Sequence, residues 1–289
     1  MRVIPIMLAG STLWGLYWLP LRWLEQAGLG GLWALAVIYV GATATLGVLA
    51  RRHWRDALAA RGRLAGIALS AAVSGIAFGL GMIHGEVARV LILFYLSPVW
   101  AVLLGRVLLG ERILRVTVPA LVLALCGAVL MLFADAWRAG DGRGLDALLP
   151  ADLLGLVAGL AFALTNVQLR AGRGLPEPLR NLATAVLAAP LAAAAALALG
   201  SPLSASPTAL GVALLVGLVW MSGMISATQY GIARLPLQRS SVLLLFELIV
   251  GAVSAALLAG EALGPLELAG GACIVLAGLA VVWGRGRNA

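Results

Sequence analysis

A chain of 289 residues that is 62% hydrophobic and only 11% charged, with a mean hydropathy of +1.04, carries more apolar side chain than a soluble domain of its size can bury. This composition excludes a soluble globular protein and implies an integral membrane protein. The formal charge of +8 does not point to nucleic acid, because the arginines punctuate hydrophobic runs instead of lining one polar face.

A bilayer core about 30 Å thick needs roughly 20 apolar residues per helical span. Ten such spans are predicted, at 3–19, 31–50, 64–83, 87–109, 116–134, 152–169, 181–199, 208–231, 240–259 and 265–283. Stop signals separate them, among them Pro20, "RRHWRDALAARGR" (51–63), Gly110-Glu111, "RAGRGLPEPLR" (170–180), "GSPLSASP" (200–207) and Gly260-Glu261. The opening "MRVIPIMLAGSTLWGLYWLP" has Arg2 before an apolar run, as a signal peptide would. It has no clear small-x-small cleavage site, so it is read as the first span. Cys126 and Cys273 lie inside apolar runs, with neither disulfide nor metal spacing.

With both termini on the cytoplasmic side, all but four of the 20 basic residues fall on cytoplasmic connections or span ends; Arg22, Arg89, Arg138 and Arg143 are the exceptions. The acids lean outward, at Glu25, Glu86, Asp135, Asp141, Asp146, Asp152, Glu261 and Glu267. An inner-membrane protein with ten spans and cytoplasmic ends is therefore expected.

The Gly-Glu pair that closes the fourth span recurs 150 positions later, at the close of the ninth. Ala77 with Ala227, Gly81 with Gly231 and Arg89 with Arg239 match at the same offset. Five spans lie between the two pairs, and an odd number reverses the direction of the chain. The expected architecture is all-α, with ten transmembrane helices in two inverted five-helix repeats: 1–134, an external linker at 135–151, and 152–289. In each Gly-Glu pair the glycine ends a helix and the carboxylate is expected near the positive start of the next. Inverted halves are common in secondary transporters, whose substrate site lies near the midplane between them.

The "WG" of "STLWGLYWLP" (11–20), with "LSPVWAVLLGRVLLGE" (96–111) and "FELIVGAVSAALLAGE" (246–261), resembles the EamA type of the drug/metabolite transporter superfamily along essentially the whole chain. "GEVARVLILFYLSPVW" (85–100) is similar to its bacterial branch of aromatic amino acid exporters. The resemblance implies export of small amphipathic metabolites, amino acids and especially aromatic ones, by alternating access. The family usually places proline after the second-half glutamate; this chain has Leu248.

Glu247 is the one carboxylate placed deep within a span, where an unpaired charge costs several kcal/mol. Two roles fit it: coupling protons or pairing with a substrate ammonium, or a structural hydrogen bond to Ser226, Gln229 or Tyr230. In "LVWMSGMISATQYGIARLP" (218–236), Ser222, Ser226, Gln229 and Tyr230 share one helical face, either lining a path or holding helices together. Asn166, beside Thr165 and Gln168 in the sixth span, is the leading candidate for orienting a polar group. Trp14, Tyr17, Trp18, Phe78, Tyr95, Trp100 and Trp220 are the aromatic candidates for the cavity. Trp23, Trp33, Trp54, Trp137 and Trp283 lie near span boundaries and fit interfacial belts. Arg89 and Arg239 are expected to snorkel to the interface. His84 is a candidate gate, its alternative a solvated loop residue.

An intramembrane enzyme would need catalytic groups converging at one depth, and a single buried acid does not supply them. No catalytic, cofactor or metal site is expected, and no phosphate-binding loop is present in a chain without lysine. The expected partners are a small-molecule substrate and the bilayer, with the chain a monomer or homodimer.

Overall fold

The computed structural model describes residues 3–110, 117–132, 150–171, 174–234, 237–261 and 264–286. The expectations for Glu111, Trp137 and residues 135–149 lie outside them, as do those for the side chains of Arg239, Trp283 and Glu267. The described chain is helical: α1 (Val3–Gly15), α2 (Trp18–Gln26), α3 (Gly31–Ala50), α4 (Trp54–Ala59), α5 (Arg61–His84), α6 (Val87–Phe94), α7 (Ser97–Leu109), α8 (Thr117–Leu132), α9 (Pro150–Ala171), α10 (Glu177–Val186), α11 (Ala188–Ala198), α12 (Pro207–Leu215), α13 (Ser222–Arg234), α14 (Leu237–Leu258) and α15 (Pro265–Gly286). Among described residues, seven helical stretches are long and apolar enough to cross a membrane: Val3–Gln26, Gly31–Ala59, Arg61–His84, Arg89–Leu109, Pro150–Leu169, Glu177–Ala198 and Pro207–Ile232. Phe246–Leu258 and Leu268–Ala277 are shorter apolar helices.

Three predicted boundaries move for local reasons. Pro20 does not end the first span. The chain breaks earlier, at Leu16-Tyr17, and Pro20 falls in the first turn of α2, where its missing N–H is harmless. The basic stretch 51–63 is a short 3-10 turn, Arg51–His53, then α4 and the start of α5, so its arginines are carried on helix. The eighth span is α12 joined to α13 through a π turn, Val216–Met221. Ser206 caps α12 by accepting from the Ala209 N–H at 3.1 Å, with Pro207 at the first helical position.

The recurring glycines do what the sequence asks of them. Gly110 and Gly260 end α7 and α14 with φ of 67° and 68°, a left-handed conformation that costs other residues about 1 kcal/mol or more.

Without a hydrophobic drive between helices in lipid, association rests on close backbone approach at small residues. A Cβ on Gly15 of α1 would stand 2.6 Å from the Glu247 carbonyl of α14, and one on Gly159 of α9 would stand 2.7 Å from the Phe94 carbonyl of α6. Gly10 meets Ala227 and Thr228 of α13 in the same manner, and Gly127 of α8 meets the Gly270 carbonyl of α15. Accordingly α1 packs on α13 and α14; α9 packs on α5, α6 and α7; α3 packs on α10, α11 and α12; and α8 packs on α15. The buried core includes Tyr17, Trp18, Leu35, Tyr39, Phe78, Phe94, Met221 and Met224.

Candidate functional site

A run of aromatic rings crosses the seam between these helices. Trp14 meets Tyr17 and Phe78 edge to face, each with ring centroids 6.1 Å apart. Phe78 continues to Phe94 at 4.9 Å, and Phe94 to Phe162 at 5.0 Å and Tyr95 at 5.8 Å. The tilted and edge-on angles suit the ring quadrupoles, at about 0.5–1.5 kcal/mol per pair beyond area burial. The break at Leu16-Tyr17 and the turn at Tyr95-Leu96 place Trp14, Tyr17 and Tyr95 at interrupted helices. Phe94 and Phe162 were missed from sequence. Phe162 sits one helical turn before Asn166, on the same face, which was the available signal.

Glu247 lies at the end of this array, 5% exposed. Its partner is Tyr95 of the break after α6, not the expected Ser226, Gln229 or Tyr230. The Tyr95 hydroxyl stands 3.2 Å from Glu247 Oε2 and 2.7 Å from the Leu244 carbonyl. A phenol has one proton, and the shorter contact takes it more fully. The structural alternative names the wrong neighbour because α14 packs on α6, while α13 turns Ala227 and Thr228 toward α1.

The polar stripe of the eighth span divides. Ser222 turns back onto its own helix at Leu218, as does Thr228 onto Met224 at 2.7 Å. Tyr230 lies under the Arg234 guanidinium at 3.7 Å, and Arg234 reaches Glu177 at 3.2 Å. Ser226 and Gln229 are half-buried with no side-chain hydrogen bond among the described residues. Trp220 donates to the Leu13 carbonyl at 3.0 Å, tying the π turn to α1.

Asn166 is half-buried and likewise makes no hydrogen bond among the described residues, whereas its neighbour Thr165 bonds Ser70 at 2.8 Å. The helix-gluing role belongs to Thr165, together with Ser74, which donates to the Ala158 carbonyl at 3.0 Å. Among described residues the buried Tyr17 hydroxyl, Trp100 Nε1 and Gln168 Oε1 also have no partner. Buried polar groups are usually satisfied, so each of these atoms is one that water or a solute can serve. Trp18 is spoken for: Nε1 donates to Ser254 Oγ at 3.0 Å and its ring lies 5.1 Å from the Arg22 guanidinium carbon. His84, the last residue of α5, is exposed, as a solvated loop residue would be.

Two ion pairs lie at the end of the bundle that carries the turn between α5 and α6. Arg89 is buried, not snorkelled: its side chain and that of Asp152 are each 2% exposed, joined through Nε to Oδ1 at 2.7 Å and Nη2 to Oδ2 at 2.9 Å. The expected external acid Asp152 is thus in the first turn of α9, turned inward. Arg22 bonds Glu261 at 2.7 Å and the carbonyls of Met82 and Gly85. Glu261 Oε2 accepts the Val87 N–H at 2.7 Å, so it serves the positive start of α6 and not, as expected, the next helix in sequence.

Residues 1–133 match the model of the EamA-like transporter family. One protein crystal structure, 18% identical, aligns over 97% of this chain and 95% of its own with a TM-score of 0.61; at that identity the likeness concerns the fold alone. No curated protein matches the sequence significantly.

Proposed function

We propose that the whole chain is a secondary transporter of the EamA type, built of ten spans in two inverted halves and working by alternating access. It exports small amphipathic metabolites, foremost amino acids including aromatic ones, across the bacterial inner membrane, with both termini cytoplasmic. The observation that carries this reading is the ring array Trp14–Tyr17–Phe78–Phe94–Phe162 ending at the buried Tyr95–Glu247 pair. An aromatic face and a carboxylate suit a ligand with an apolar body and an ammonium group. The free amides of Asn166 and Gln229 add neutral hydrogen-bonding groups for its carboxylate.

Support for inverted halves comes from exchange of packing partners. If α1–α2 corresponds to α9, and α6–α7 to α14, the packing of α1 on α13 and α14 has its counterpart in that of α9 on α5 and α6. Gly15 against α14 and Gly159 against α6 fit the same exchange. Arg22–Glu261 and Arg89–Asp152 then each join one half to the other at the external end, where opening to the outside must part them. Amino acid specificity and outward direction rest on the resemblance in residues 85–100.

The test is uptake of labelled phenylalanine, tryptophan and alanine into proteoliposomes, with and without an imposed proton gradient. Saturable flux of at least one, lost in Glu247→Gln, is expected. Rates equal to empty liposomes for every amino acid would overturn the substrate assignment.

A further inference from the structure

Beside the Arg22–Glu261 pair is a surface recess of about 380 Å3 lined by Trp18, Leu19, Arg22, Trp23, Gln26, Leu258 and Ala259. It sits where α2 and α14 end, at the border between apolar spans and connecting turns. Its chemistry changes across its width. On one side Leu258 and Trp23 are 65% and 46% exposed, an apolar and aromatic rim that belongs against lipid. On the other is the Arg22 guanidinium, whose Nε and Nη2 are occupied by Met82, Gly85 and Glu261. Nη1 makes no hydrogen bond among the described residues, and Gln26 is exposed with an amide equally uncommitted.

We propose that this recess is a binding site for a glycerophospholipid, its phosphodiester taken by Arg22 Nη1 and Gln26 and the start of an acyl chain lying along Leu258. Guanidinium N–H groups match phosphate oxygens better than a point charge does, and the guanidinium is already fixed by its three other bonds and by Trp18 beneath it. A soluble anion would find the same donors but leave the Trp23 and Leu258 rim unused. A neutral lipid would cover the rim and leave Nη1 without an acceptor. Only a molecule carrying both parts uses the whole recess. On the transport reading proposed above, in which opening to the outside parts Arg22 from Glu261, the lipid binds the closed external end and not an open one.

The test uses the purified full chain in detergent, stripped of lipid, with thermal unfolding followed after adding dioleoyl phosphatidylglycerol, dioleoylglycerol or inorganic phosphate. Phosphatidylglycerol is expected to raise the apparent Tm by about 3 °C or more, as binding to the folded state alone does, and the other two to leave it within about 1 °C. Ala259→Trp, which fills the recess from an exposed position, should keep the unliganded Tm and lose the shift. Arg22→Gln should lose it too, at a lower starting Tm. An undiminished shift in Ala259→Trp, or an equal shift with dioleoylglycerol, overturns the proposal. A full shift with inorganic phosphate reassigns the recess to soluble anions and overturns it as well.

Discussion

Arg89 and Asp152 meet in parallel, two hydrogen bonds of 2.7 and 2.9 Å between side chains almost wholly withdrawn from solvent, 63 residues apart in sequence. Removing one partner of a buried ion pair costs about 3–5 kcal/mol, while replacing both with apolar groups of similar size is often neutral. Asp152→Asn should therefore unfold well below the wild type in detergent. Arg89→Met combined with Asp152→Leu should recover most of the loss. A single variant as stable as the wild type would show that the pair bears no such load.

Variants at Tyr95 and Glu247 distinguish a structural carboxyl from one that binds substrate. Glu247→Gln retains a group of the same shape, so the fold should persist. Gradient-driven flux in proteoliposomes and exchange of substrate between two equal pools should both fall at least about tenfold, because the ammonium loses its partner in either mode. Tyr95→Phe removes the hydroxyl that contacts both Leu244 and Glu247 and should weaken both modes together. Loss of gradient-driven flux alone in Glu247→Gln, with exchange unchanged, would assign the acid to protons instead of the substrate ammonium.

Asn166 makes no hydrogen bond that its replacement would break, so Asn166→Ala should change the Tm by no more than a surface substitution does, about 0.5 kcal/mol in stability. Transport should nevertheless drop, with a raised KM for the substrate. Normal KM and rate would remove Asn166 from the path.

At Gly15 a methyl group would stand 2.6 Å from the Glu247 carbonyl and 2.9 Å from Val250 Cβ, with backbone on one side leaving no room to yield. Gly15→Ala should destabilise by about 1–3 kcal/mol, the usual cost of overpacking. Gly211, with nothing within 4 Å of the same added atom, is the control; alanine there should be neutral or slightly stabilising through helix propensity. Parallel melting curves of the two variants check this.

What could be read in advance followed from local chemistry. Glycine at positions 110 and 260 announces helix ends because only it accepts that φ cheaply, and the apolar runs announce helices because lipid offers the backbone no other partner. Tyr17, Phe78 and Tyr95 were identifiable as aromatic residues in the interior of predicted spans. The partners were not. Arg89 at a span end looks like any interfacial arginine, and nothing near it in sequence announces Asp152, because the match depends on how α6 and α9 cross. One of the two roles open to Glu247, a hydrogen bond to the eighth span, names the wrong neighbour for the same reason: a polar stripe says which residues share a face, not which neighbour that face meets. The break at Leu16-Tyr17 lay four residues before the proline that seemed to signal it.

The π turn at Val216–Met221 spends an extra residue where an ordinary helix would have none. Its effect is a phase slip: positions before the turn and positions after it no longer fall on one stripe, so a single continuous rod presents different sides at its two ends. Leu214 meets Gly41 of α3 before the slip, and Ala227 and Thr228 meet Gly10 of α1 after it. Excising one residue from this stretch would straighten the winding, and it would also turn the lower half away from the neighbour it is built to touch.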